Sequence, residues 1–186
     1  TQYTHAIDMV PTVLDLLGIE PPTSIKGVTQ SPVEGLSFAH TLDDGEAPGK
    51  RTTQYFEMVG HRSLYHDGWK AVCPWPGPSF AEAGAFFGKP IPAETLTEID
   101  ASGWEMYHVA EDPSECRDLA AEQPEKLAEM IDRWWVEAET HGVLPRDDRS
   151  IELFDSRCRE RSPHPPDRHY RSRPPVSPLP MRAGPP

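Results

Sequence analysis

The sequence predicts an α+β fold: a small antiparallel sheet with a helix packed on it. Three observations carry that expectation. Tyr55–Val59, Arg62–Tyr65 and Trp69–Cys73 are short segments of apolar and aromatic residues set off by turn residues, the pattern of strands. Between the last two sits His66-Asp67-Gly68. Asp-Gly accepts the positive φ angles of a type I′ turn, so these segments read as an antiparallel hairpin. Pro124–Thr140 puts Pro at the first helical position and Leu127, Ile131, Trp134, Trp135 and Ala138 along one side, and Gly142 stops it. Two adjacent tryptophans on an otherwise acidic helix need covering, and the sheet is the simplest cover.

The remaining elements follow in order. Thr4–Gly18 reads as a helix with Asp8 as N-cap and Pro11 in the first turn. Val10, Val13, Leu14 and Leu17 recur at helical spacing, and Gly18 ends the run ahead of Pro21-Pro22. His5 and Asp8 are read as a helix entry rather than site residues. Ile19–Lys50 is rich in Pro and Gly, with one short strand or helical turn expected within Gly35–Leu42. Asp43-Asp44 resembles a metal-binding carboxylate pair, but acids beside Gly45 in a polar loop are read as solvated turn residues. Pro74–Ala101 is a Pro/Gly/Phe-rich loop that ends in one helical turn at Ala93–Asp100. Its aromatics Trp75, Phe80, Phe86 and Phe87 either line a pocket mouth or bury under the loop. Gly103–Val109 is a further strand, with Trp104, Met106 and His108 on one face and Glu105 and Tyr107 on the other. Asp112-Pro113-Ser114-Glu115 is a turn and a capped helical start.

Composition bounds the function. The chain has 186 residues, 37% hydrophobic and 26% charged, enough for one domain or a domain with an appendage. Its net charge is −12, which argues against a nucleic-acid surface and against a polybasic membrane patch. The balance is uneven: residues 151–186 hold seven Arg, four acids and nine Pro, and read as an extended linker. Cys73, Cys116 and Cys158 form no CxxC pair, which argues against a zinc knuckle or dithiol site and leaves one disulfide open. No apolar run approaches the ~20 residues that span a bilayer. A soluble protein is expected, cytoplasmic or periplasmic. The chain opens at Thr1 without an initiator Met and reads as a piece of a longer protein.

No nucleophile elbow, P-loop or H-E-x-x-H motif is present. A series of blocks in order carries a resemblance instead. Thr4–Ile19 resembles the D-x-x-P-T-x-x-x-x-x-G-I helix that closes the catalytic domain of sulfatases. Glu34–Phe38, Gln54–Arg62 and Asp67-Gly68-Trp69-Lys70 resemble the next blocks of the arylsulfatase subgroup. Trp104–Tyr107, with Asp112–Ala120, is similar to that family's closing W-E-L-Y…D-P-x-E-x-x-D-L-A pattern.

The resemblance implies the following arrangement: residues 1–19 end an α/β catalytic domain, 20–52 connect, 53–150 form the antiparallel sheet and helix, and 151–186 lead toward a further region. It implies hydrolysis of anionic sulfate esters by a formylglycine, made from Cys or Ser in C/S-x-P-x-R, with a divalent cation, usually Ca²⁺, held by Asp and Asn oxygens. This chain departs from that pattern: Cys73-Pro74-Trp75-Pro76-Gly77 has its Pro at the wrong offset and lacks the Arg. No catalytic residue and no metal ligand is carried over. The chain is expected to be inactive alone and to pack on a missing catalytic domain. Glu57, His61 and Arg62 are the substrate-entrance candidates, against the alternative of a buried polar network. A phosphonate or phosphate diester hydrolase of the same superfamily is a rival reading, and a non-catalytic binding module using the aromatic loop is another.

Overall fold

The computed structural model describes residues 2–58, 60–75, 92–144, 146–147 and 170–171. It is α+β, and divides into two units, Thr1–Gln54 and Tyr55–Pro186.

In the first unit, a 3₁₀ turn at Ala6–Asp8 runs into α1 (Met9–Leu17). Gly18 takes the left-handed conformation, φ 64°, and closes α1 as its missing side chain allows. Asp8 does not cap α1 as the sequence suggested. Its carboxylate instead accepts the His5 amide at 2.9 Å, capping the 3₁₀ turn, and reaches outward across the loop. The expected apolar stripe faces out: Val10, Val13 and Leu17 are all more than half exposed, as are Met9 and Leu16. A two-residue hairpin follows, β1 (Ser24–Ile25) with β2 (Val28–Thr29), unforeseen because its strands are so short. Its Lys26-Gly27 turn has positive φ at both residues, like the Asp67-Gly68 turn. The ambiguous Gly35–Leu42 stretch yields helix α2 (His40–Asp43).

Two of the sequence blocks named above meet here. Asp8 Oδ1 accepts the Leu36 amide at 2.8 Å, and Thr12 Oγ1 accepts the Phe38 amide at 3.1 Å. Thr12 donates in turn to the Asp8 carbonyl at 2.6 Å, and Ser37 Oγ donates to Asp15 at 2.5 Å. Gly35 permits the approach: a Cβ there would lie 2.1 Å from the Ile7 carbonyl oxygen. Arg51 closes the network, with Nε 2.8 Å from Asp8 Oδ2 and Nη2 on Oδ1. Asp-x-x-Pro-Thr and Glu-Gly-Leu-Ser-Phe are therefore two sides of one clamp.

In the second unit, β3 (Thr53–Met58), β4 (His61–His66), β5 (Trp69–Cys73) and β6 (Glu105–His108) form a sheet in that order. The β4–β5 hairpin pairs Arg62 with Cys73 through His66 with Trp69, around an Asp67-Gly68 turn with φ 46° and 83°. This is the type I′ chemistry its sequence implied. One face of the sheet carries Leu64, Ala71, Cys73 and Met106, and α4 (Pro124–Thr140) covers it with Leu127, Met130, Trp134, Trp135 and Ala138. Trp134 meets Trp104 and Trp135 edge-on at 6.3 and 5.0 Å, and its Nε1 donates to the Phe56 carbonyl at 3.0 Å. Each aromatic pair adds about 0.5–1.5 kcal/mol beyond burial. The helix before β6 is longer than one turn: α3 spans Ala93–Ser102.

The later motif blocks also pair with each other. Lys70 donates to Glu115 at 2.6 Å from the opposite face of β5, fixing the Asp112–Arg117 loop there. Both side chains are about one-third exposed, so the pair is worth only about 0–1 kcal/mol. Asp118 Oδ1 accepts the amides of Met106 and Ala120 at 3.0 and 2.9 Å, while the Leu119 amide donates to the Met106 carbonyl at 2.7 Å. The Asp-Leu-Ala segment thus satisfies the outer edge of β6, where an open ladder would otherwise invite pairing with another chain.

Short strands β7 (Arg146–Asp147) and β8 (Tyr170–Arg171) pair antiparallel, a contact the sequence did not indicate. Cys73 and Cys116 are free thiols. Cys158, Phe80, Phe86, Phe87 and nearly all of 151–186 lie outside the described residues. Among the described residues, no helix is long and apolar enough to cross a membrane.

Candidate functional site

Glu57, His61 and Arg62 flank the turn between β3 and β4. Successive strand residues point to opposite faces, so His61 and Arg62 part company at the start of β4. Arg62 goes inward. Its side chain is fully buried, with Nη1 2.7 Å from Asp100 Oδ1 of α3 and Nη2 2.9 Å from Cys73 Sγ. The guanidinium lies over Trp104 and Trp134, 4.8 and 5.7 Å from the ring centroids. Desolvated cation–π contacts of this kind are worth about 2 kcal/mol. Asp100, an unremarkable acid in sequence, is the partner that sequence reasoning missed. The place of Arg62 two residues before Leu64, on the same face of a strand, was the one available signal.

Glu57 and His61 stay together at the turn. Glu57 Oε1 accepts the Gly60 amide at 2.7 Å. His61 Nδ1 accepts the Trp75 amide at 3.2 Å. Partial burial pushes the His61 imidazole below its ordinary value of 6.5, and the nearby Glu57 carboxylate opposes that shift. Trp75 is buried and lies against Gly60, which answers the question its sequence left open. A Cβ on Gly60 would sit 2.3 Å from the Trp75 ring, and its φ of 93° suits only glycine. Gly60→Ala is therefore expected to destabilise the second unit by about 2–4 kcal/mol, combining strain with overpacking. Urea unfolding followed by tryptophan fluorescence measures this, and an unchanged midpoint would contradict the packing described.

The residues present do not suit the catalytic groups that the sulfatase resemblance implies. The sequence contains no Asn, and no Cys or Ser begins a C/S-x-P-x-R motif. Among the described residues, no three His, Cys, Asp or Glu side chains gather to hold a metal ion. Asp43 and Asp44 are exposed, and the Asp44 carboxylate accepts the Glu46 amide at 3.0 Å, as a turn residue does. Cys73 is buried against Arg62.

No protein-family model matches the chain. A sulfatase of Schizosaccharomyces pombe, itself uncharacterised, is 25% identical over 151 residues, covering 79% of this chain and 23% of that protein. A solved structure from work on glycosaminoglycan metabolism by Bacteroides thetaiotaomicron superposes with a TM-score of 0.42 at 17% identity, covering 68% of this chain and 23% of the other. A protein solved with its substrate D-glucosamine-2-N,6-O-disulfate gives a TM-score of 0.42 at 20% identity, covering 74% and 24%. The chain spans about a quarter of the length of each of these proteins. By sequence, it is to the sulfatases that this chain is similar, as its ordered motifs imply.

Proposed function

We propose that this chain is the C-terminal part of an arylsulfatase-type sulfuric ester hydrolase and is inactive by itself. The observation that supports this most is the pairing of the motif blocks. Asp8 and Thr12 hold the Leu36–Phe38 loop, Lys70 holds Glu115, and Asp118 holds Met106. Residues that brace one another across the chain suit a scaffold, and the 25% identical sulfatase matches over 151 residues, 79% of the chain. The exposed apolar face of α1, with Val10, Val13 and Leu17, suits a helix that completes a larger α/β domain.

In this reading the formylglycine and the divalent cation belong to that larger domain. The substrate is a small anionic sulfate ester. Glu57 and His61 line the entrance to the active site, and Arg62 backs them from the core. The test is to recover the longer coding sequence and assay its product with a sulfate ester and with a phosphate diester. An upstream C/S-x-P-x-R motif and preference for the sulfate ester are expected. Preference for the diester would move the protein to the phosphonate or phosphate diester hydrolases, and no motif at all would end the hydrolase reading.

A further inference from the structure

His61 differs from its two companions in having a nitrogen to spare. Glu57 is tied to the Gly60 amide, and Arg62 is enclosed by Asp100, Cys73 and two tryptophans. His61 Nδ1 is occupied by the Trp75 amide, a donor that has no other proton to give up or take. A ring nitrogen that accepts cannot carry the proton, so the neutral imidazole must carry it on Nε2. That second nitrogen has no partner among the described residues. The ring is held on one side by a backbone amide of a buried residue and presents a fixed N–H donor on the other.

We infer that His61 is a substrate-binding residue, its Nε2–H donating to an uncharged oxygen in the organic part of the sulfate ester. This rests on the sulfatase reading above. The neighbouring Glu57 carboxylate disfavours the sulfate group itself as the acceptor, because an anion brought beside it would be repelled. Burial keeps the ring neutral near pH 7, so the donor acts as a hydrogen bond and not as a counter-charge.

Two side chains separate this role from a structural one. Asparagine at position 61 places an acceptor near the Nδ1 position and no donor near Nε2. Glutamine places a donor near Nε2 and no acceptor near Nδ1. In the sulfate-ester-hydrolysing polypeptide that contains this chain, His61→Asn is expected to raise KM for 4-nitrophenyl sulfate about five- to tenfold, the loss of one neutral hydrogen bond. KM for phenyl sulfate, which lacks an uncharged acceptor beyond the ester, is expected to stay unchanged. His61→Gln is expected to leave KM for both within about twofold while lowering the unfolding midpoint. The ring ¹⁵N spectrum of the 186-residue chain is expected to show the Nε2-protonated neutral tautomer at pH 7.5. An Nδ1-protonated ring, an unchanged KM in His61→Asn, or an equal rise for both esters would overturn the inference. A wild-type polypeptide inert toward both esters would instead remove the sulfatase reading on which it rests.

Discussion

Replacing Asp8 with alanine is expected to open the first unit. The carboxylate collects the His5 and Leu36 amides and the Arg51 guanidinium, and it is almost wholly enclosed. Its loss leaves a largely buried arginine without its counter-charge and the Leu36 amide without an acceptor. Breaking a buried pair from one side costs about 3–5 kcal/mol, the largest effect any single exchange in this unit should have. The unit contains no tryptophan, so amide hydrogen exchange is the suitable measurement: protection at Leu36 and Phe38 should vanish in Asp8→Ala while α4 stays protected. Protection retained at both amides would show that the clamp is dispensable.

The same contact has a pH signature. Burial alone would raise the Asp8 carboxyl, but the Arg51 hydrogen bond, the Leu36 and His5 amides and the Arg51 charge outweigh it and hold the group at about 2, from an ordinary 3.8. The unfolded chain therefore takes up the proton first as pH falls. The contribution is complete above roughly pH 4 and drains away between there and about pH 2. Asp8→Asn should lack that acid step.

Replacing Arg62 with alanine is expected to unfold the second unit without altering substrate affinity in whatever protein survives. The exchange strips Asp100 of its guanidinium in a nearly closed site and leaves a void between Trp104 and Trp134. The charge term alone is about 3–5 kcal/mol, and the void adds to it. Removing Asp100 as well should recover part of the loss, because no buried carboxylate is then left uncompensated. Equilibrium unfolding followed by tryptophan fluorescence reads both variants. A stable Arg62→Ala protein with a raised KM would place the guanidinium at the ligand instead.

The hairpin and α4 were legible because their signals are local. Asp67-Gly68 sets its own turn, and Trp134 and Trp135 declare a buried helix face wherever the helix lies. The clamp at Asp8 was not legible, since its partners Leu36 and Arg51 stand 28 and 43 residues away and no periodicity links them. Asp8 looks like a helix cap in sequence because capping and long-range bracing ask for the same short carboxylate. Arg62 posed the converse difficulty. An arginine suits an anionic ligand or a buried ion pair equally, and only the position of Asp100 and the two indoles separates them. The exposed stripe of α1 was correctly found as a stripe, yet periodicity says that a face is apolar, not what covers it.

The most direct measurement is release of 4-nitrophenol from 4-nitrophenyl sulfate, with Ca²⁺ supplied, by the 186-residue chain beside the longer polypeptide proposed to carry it. Turnover by the longer protein and none by the chain is the result this account requires. Sustained turnover by the chain alone, abolished by substituting a residue within it, would contradict it.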